Sequence, residues 1–181
     1  MKAFILFLFT ALMLLVAPDV ALAQSPLQIT RSPATAPTLG TTVRGSSATT
    51  FSITTGGSVT RTSGNAIRLS TSSVTAPTIT VSCGLLNLSS LCALRYVRIT
   101  ITPVTGAGPA SISRLRVGSL SGASYRSGSA PAEGASITFD INPLGLFGSA
   151  TFTLGMDVLL AAGAASGNTT FTYNVLVDFT T

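Results

Sequence analysis

The sequence predicts an all-β protein, an antiparallel β-sandwich, and three observations carry that expectation. Apolar and polar residues alternate at a period of two along many short runs, serine and threonine dominate the polar residues, and 17 glycines and 9 prolines punctuate the chain between runs. Threonine suits a half-exposed pleated surface, because its branched Cβ packs while its hydroxyl meets water. No helical period survives beyond the first 23 residues.

Taken in order, residues 1–23 have the three parts of a secretory signal: Lys2, an apolar stretch from Ala3 to Ala17, and the small-x-small site Ala21-Leu22-Ala23. Pro18-Asp19 interrupts the apolar stretch short of the roughly 20 residues a spanning helix needs. Gln24, not cysteine, follows the site, so a lipidated terminus is not expected. The expected product is exported to the periplasm, cell surface or extracellular space, with no membrane span after cleavage. Residues 24–47, spaced by Pro26, Pro33 and Pro37, read as an extended N-terminal arm, and residues 48–181 as a single β-sandwich domain.

Within that domain, Thr49 to Thr54 turns Phe51 and Ile53 inward, and Ala66 to Ser70 is expected to turn Ile67 and Leu69 inward, between turns at Gly56-Gly57 and Gly64-Asn65. Thr78 to Cys83 places Ile79, Val81 and Cys83 on one face, and Leu94 to Val104 sets Val97, Ile99 and Ile101 inward against outward Tyr96 and Arg98. The leucine-rich connection from Gly84 to Leu91 is expected to fold back over one end of the sandwich. Ser113 to Val117 turns Leu115 and Val117 in and Arg114 and Arg116 out, and Gly118 to Gly134 reads as the longest connection, where a ligand site could sit. Ile137, Phe139 and Ile141 mark another strand, ended by Asn142-Pro143. The stretch Ser149–Thr181 reads as a β-hairpin. Phe152, Leu154, Met156, Val158 and Leu160 share a face of its first arm, and Phe171, Tyr173, Val175, Val177 and Phe179 a face of its second, with Leu176 the apolar exception. Two such faces must cover a second layer of sheet.

The composition excludes much chemistry. There is no histidine or tryptophan, and Lys2 is the one lysine, so Ser-His-Asp and Cys-His arrangements, histidine metal sites and a lysine nucleophile in the exported part are ruled out. No catalytic, cofactor-binding or metal-binding residue is assigned, and no cofactor is expected. Glu133, Asp140, Asp157 and Asp178 are the carboxylates after the signal, and they read as solvated surface groups, not as a facing glycosidase pair. The arginines at 31, 44, 61, 68, 95, 98, 114, 116 and 126 never form a run, and the basic charge of +5 is too dilute for a nucleic-acid partner. Cys83 and Cys92 are the two cysteines, and an exported chain meets an oxidising compartment, so they are expected to form a disulfide.

Phe51-Ser52-Ile53, Gly56-Gly57-Ser58-Val59-Thr60, the run Ala150 to Val158 and the closing Phe171 to Val177 resemble the exported bacterial family known as domain of unknown function 4402. That family is itself similar to spore coat protein U and to pilin-like subunits. The resemblance covers about residues 50–181 and implies an immunoglobulin-like sandwich in the cell envelope, with no functional residues to carry over. The cysteine pair, its leucine-rich loop and residues 24–47 fall outside the pattern. The function expected is that of a non-enzymatic exported cell-envelope protein, a structural, fimbria- or coat-like subunit. The alternative is an adhesion or carbohydrate-binding module contacting its ligand through Tyr125 and the Gly118–Gly134 loop. The partners expected are further copies or other envelope subunits, joined by strand addition. In that event residues 24–47 would lie along an open edge of the next subunit, though pairing of this arm within its own domain is equally open. No small-molecule ligand is specified.

Export should leave a mature protein whose intact mass begins at Gln24. A recovered mass that still includes residues 1–23 would overturn the signal reading.

Overall fold

The computed structural model describes residues 27–84, 91–105 and 108–181, so the signal segment and residues 85–90 of the leucine-rich connection lie outside the described residues. Its strands are β1 (Leu27–Ser32), β2 (Thr38–Val43), β3 (Thr49–Ile53), β4 (Val59–Ser63), β5 (Ile67–Arg68), β6 (Thr78–Cys83), β7 (Tyr96–Pro103), β8 (Ala110–Ser121), β9 (Ile137–Ile141), β10 (Ser149–Leu160), β11 (Gly167–Thr170) and β12 (Tyr173–Thr180). One short helix, α1 (Leu91–Leu94), precedes β7. Every pairing is antiparallel.

β10 is the centre of the first layer, whose order is β1-β6-β10-β3-β4. β8 takes one edge of β10, so β6 and β3 share the other: Ser149–Thr153 pairs with β6 and Met156–Leu160 with β3. The second layer holds β12-β7-β9 and β11-β2-β5. These two ladders meet at the break between β11 and β12, where the Val104 N–H donates to Thr172 O and the Phe171 N–H to Pro37 O. The core lies between the layers. Phe152, Leu154, Met156, Val158 and Leu160 are each at most 1% exposed, and Val97, Ile99, Ile101 and Ile141 on the facing layer are at 0%. Phe139 of β9 meets Phe152 of β10 edge to face at 5.6 Å, an arrangement that aromatic quadrupoles favour.

Several expectations need correction. The two arms of Ser149–Thr181 are not a hairpin: β10 lies in the first layer and β12 pairs with β7 in the second. Their alternation is as expected, with Tyr173 and Val177 buried and Leu176 exposed, but the faces oppose each other across the core. Alternation sets which way a side chain points; the long connection 161–172, with β11 inside it, crosses between layers instead of closing a tight turn. In Ala66–Ser70 the facing is inverted, since Ile67 and Leu69 are more than half exposed and Ala66 is buried. The cause is Thr49, whose buried Oγ1 accepts the N–H groups of Asn65 and Ala66 and donates to Ser47 O. That satisfied hydroxyl pins the small Ala66 inward and sends Ile67 out. β8 also runs on to Ser121, which shortens the expected 118–134 connection to one that starts at Gly122.

Residues 27–43 pair within their own domain, β1 along β6 and β2 with both β5 and β11. Leu27 and Leu39 enter the core, and Thr42 Oγ1 donates to Gly167 O. The expected disulfide is present: Cys83, ending β6, is joined to Cys92 of α1.

Phe152→Ala should lower the unfolding free energy by about 3–5 kcal/mol, while Leu176→Ser should change it by less than about 0.5 kcal/mol. Chemical denaturation measures both. Equal losses would contradict the facing of β12.

Candidate functional site

The polar chemistry gathers where β8 and β9, the edges of the two layers on one side, are bridged by the connection between them. That connection is stapled at both ends. Gly134 exchanges both backbone hydrogen bonds with Leu115 of β8, and around Tyr125 the Arg126 N–H donates to Asp140 O and the Asn142 N–H to Ser124 O. The Tyr125 ring packs edge to face on Phe139 at 5.7 Å, and its hydroxyl donates to Gly118 O. The residue expected as a ligand contact is therefore built into the wall, and burial raises its phenol pKa.

Three of the four carboxylates expected to be solvated are instead held by arginines. The β8–β10 register sets Arg114 opposite Asp157 and Arg116 opposite Gly155, with a bulge beside the first pair. Arg116 donates to Asp157 at 2.6 Å, to Glu133 at 3.1 Å, to Ser52 Oγ at 2.9 Å and to Ile53 O at 3.1 Å. Gly155 makes room for it: a Cβ there would stand 2.8 Å from Arg116 Cγ and 2.9 Å from Ile53 O. Arg114 adds longer contacts of 3.7 Å to Glu133 and to Asp157. Glu133 and Asp157 thus turn to a shared guanidinium and not toward each other across a cleft, which is the geometry of a clamp and not of acid–base catalysis.

The second cluster is on β7 and β9, where Arg98 and Asp140 are cross-strand partners. Arg98 grips the carboxylate with both prongs, at 2.8 and 3.1 Å. Arg126 approaches the same carboxylate at 3.5 Å, donates to Thr181 O at 2.8 Å and lies 3.9 Å over the Tyr96 ring. The hydrogen bonds from Arg98 hold the Asp140 carboxyl below the usual carboxylate range. Partial burial opposes this, while the charges of Arg98 and Arg126 add to it. Asp178 remains an exposed carboxylate on β12.

Between the clusters lies an open groove of about 790 Å³, walled by Pro131, Ala132 and Glu133 on one side and by Thr138, Phe139 and Asp140 on the other. It follows the outer edge of β9. Asp140 O and the Asn142 N–H point outward to residues 124–126, so strand alternation turns the Thr138 N–H and C=O outward as well. No backbone hydrogen bond reaches Thr138 from that side among the described residues. Residue spacing could not have located this edge, since it depends on which strands end up outermost. Among the described residues there is no group of three His, Cys, Asp or Glu side chains that could hold a metal, and no helix long and apolar enough to cross a membrane.

Comparison with protein-family models, with curated proteins and with solved structures found no match. The family resemblance therefore rests on the residues quoted for it.

Arg116→Lys keeps the charge but cannot reproduce the fork, and should cost about 2 kcal/mol in chemical denaturation. A loss no larger than that of Arg114→Lys would contradict the clamp. For Asp140, a folded-state pKa below the unfolded value of about 3.9 means stability that is present above that pH and lost as pH falls through the folded value. Asp140→Asn should accordingly show a smaller drop in melting temperature than wild type on acidification below about pH 4. An equal drop would place the acid sensitivity elsewhere.

Proposed function

We propose that the protein is a non-enzymatic, exported cell-envelope component, a structural or coat-like subunit that joins its neighbours by strand addition along the outer edge of β9. The observation that carries this reading is the outward Thr138 backbone, unpaired among the described residues and bordered by a groove. An extended segment laid there would gain main-chain hydrogen bonds, and the groove would receive its alternate side chains. Arg98, Arg126 and Glu133 would select among such segments by charge. The signal-like N-terminus and the resemblance to coat and pilin-like subunits support the same reading. Residues 27–43 are not a spare donor strand in this scheme, because their release would expose Leu27 and Leu39 and break three ladders. The neighbour would instead bring its own β9 edge, or the edge of another envelope subunit. An adhesion or carbohydrate-binding role would draw on the same groove, but Tyr125 is committed to packing on Phe139.

Thr138→Pro tests the edge, because it removes an N–H that points away from β7 while leaving the Ile137, Phe139 and Ile141 rungs intact. Size-exclusion chromatography with light scattering should show concentration-dependent multimers for residues 24–181 and monomers for the variant at an unchanged melting temperature. A wild-type protein that is monomeric at every concentration, or a variant with the same multimers, would rule out edge addition between copies of the chain.

A further inference from the structure

The end of the sandwich that carries the disulfide presents large apolar side chains to water. Two stretches meet there, α1 with Arg95, and residues 142–148 between β9 and β10. They are tied together twice: the Gly145 N–H donates to Cys92 O at 3.0 Å, and the Cys83 N–H to Gly148 O at 3.1 Å. With the disulfide joining Cys83 to Cys92, the two stretches form one braced platform. Leu144 fills its underside, while Leu94 and Phe147 are 74% exposed and Leu146 is 50% exposed. Most other connections in the domain are built of serine, threonine and glycine, so three exposed large apolar residues on one platform call for a partner.

Charge identifies that partner. Neither stretch contains a carboxylate. Arg95 is exposed, and among the described residues its guanidinium has no hydrogen-bond or ion-pair partner, whereas Arg98, Arg114, Arg116 and Arg126 are all ion-paired. The groove at the edge of β9 is not lined by Leu94, Leu146 or Phe147. Single apolar side chains standing on loops, beside an unpaired cation, suit a surface that needs no complementary shape. We infer that this end of the molecule docks on an anionic phospholipid bilayer, with Leu94, Leu146 and Phe147 entering the headgroup–acyl boundary and Arg95 meeting lipid phosphates. This site is separate from the edge of β9 and does not depend on strand addition.

Co-sedimentation of residues 24–181 with phosphatidylcholine vesicles, with and without phosphatidylglycerol, tests the inference. Binding should require the anionic lipid and weaken with salt. Phe147→Ser should lower partitioning about tenfold, and Arg95→Gln about fivefold. Leu176→Ser, at an apolar residue of β12 that is 59% exposed, should leave it unchanged. Phe147→Trp supplies a second readout, an emission spectrum that shifts to the blue on vesicles. The inference is overturned if the wild-type protein stays in the supernatant, if neutral vesicles bind as well, or if Leu176→Ser matches Phe147→Ser. A lipid-free dimer that Phe147→Ser dissociates would also overturn it, assigning the patch to a second copy of the chain.

Discussion

The pairing of β10 on both of its edges is the constraint on which the rest of the molecule depends. A strand held on both sides satisfies its backbone entirely within the sheet, so its inward side chains can be buried without leaving polar groups unmatched. Because β6 covers one half of an edge and β3 the other, β10 also joins two parts of the chain that are distant in sequence. β6 brings the disulfide and β1 with it, and β3 brings β4 and the buried Thr49. The point where β6 gives way to β3 is Gly155, and there Arg116 lies across three strands to bind Ser52, Ile53 and Asp157. Beside this break one planar, multiply bonded guanidinium ties β8, β10 and β3 together.

The arginines serve mainly as forks between elements. Arg98 joins β7 to β9 through Asp140, Arg68 reaches Leu39 O and Ser72 O, and Arg31 reaches Tyr173 O while lying 5.1 Å over its ring, which ties β1 to β12. The half-exposed pairs contribute little each in water. Arg116 and Asp157 are the exception, because their side chains are only 17% and 16% exposed and their hydrogen bonds are short. The basic composition thus reflects internal cross-bracing more than an electrostatic footprint.

The two surfaces proposed for contact with other molecules lie on different parts of the sandwich. The edge of β9 runs along the side of the sandwich, and the apolar platform at Leu94 and Phe147 caps its end. A molecule standing on a membrane by that end would hold its strands across the membrane plane. Its β9 edge would then face neighbours standing on the same surface.

The sequence by itself determined the all-β class and the facing of β3, β6, β7, β9, β10 and β12, because alternation is a local property, and it pointed to the disulfide because Cys83 and Cys92 are the two cysteines of the chain. It did not determine partners. The parity of Phe152 and Tyr173 is the same whether β10 and β12 lie side by side or face to face, and only the packing of the layers chose the second. Ile67 points outward because a distant hydroxyl on Thr49 claims the backbone beside it. Asp140 and Asp157 looked like solvated groups because their arginines come from other strands, Arg98 by cross-strand pairing and Arg116 by the room above Gly155. The open edge at Thr138 and the platform at Phe147 were illegible for the same reason: a surface is defined by what the rest of the chain leaves uncovered, and only the tertiary structure decides that.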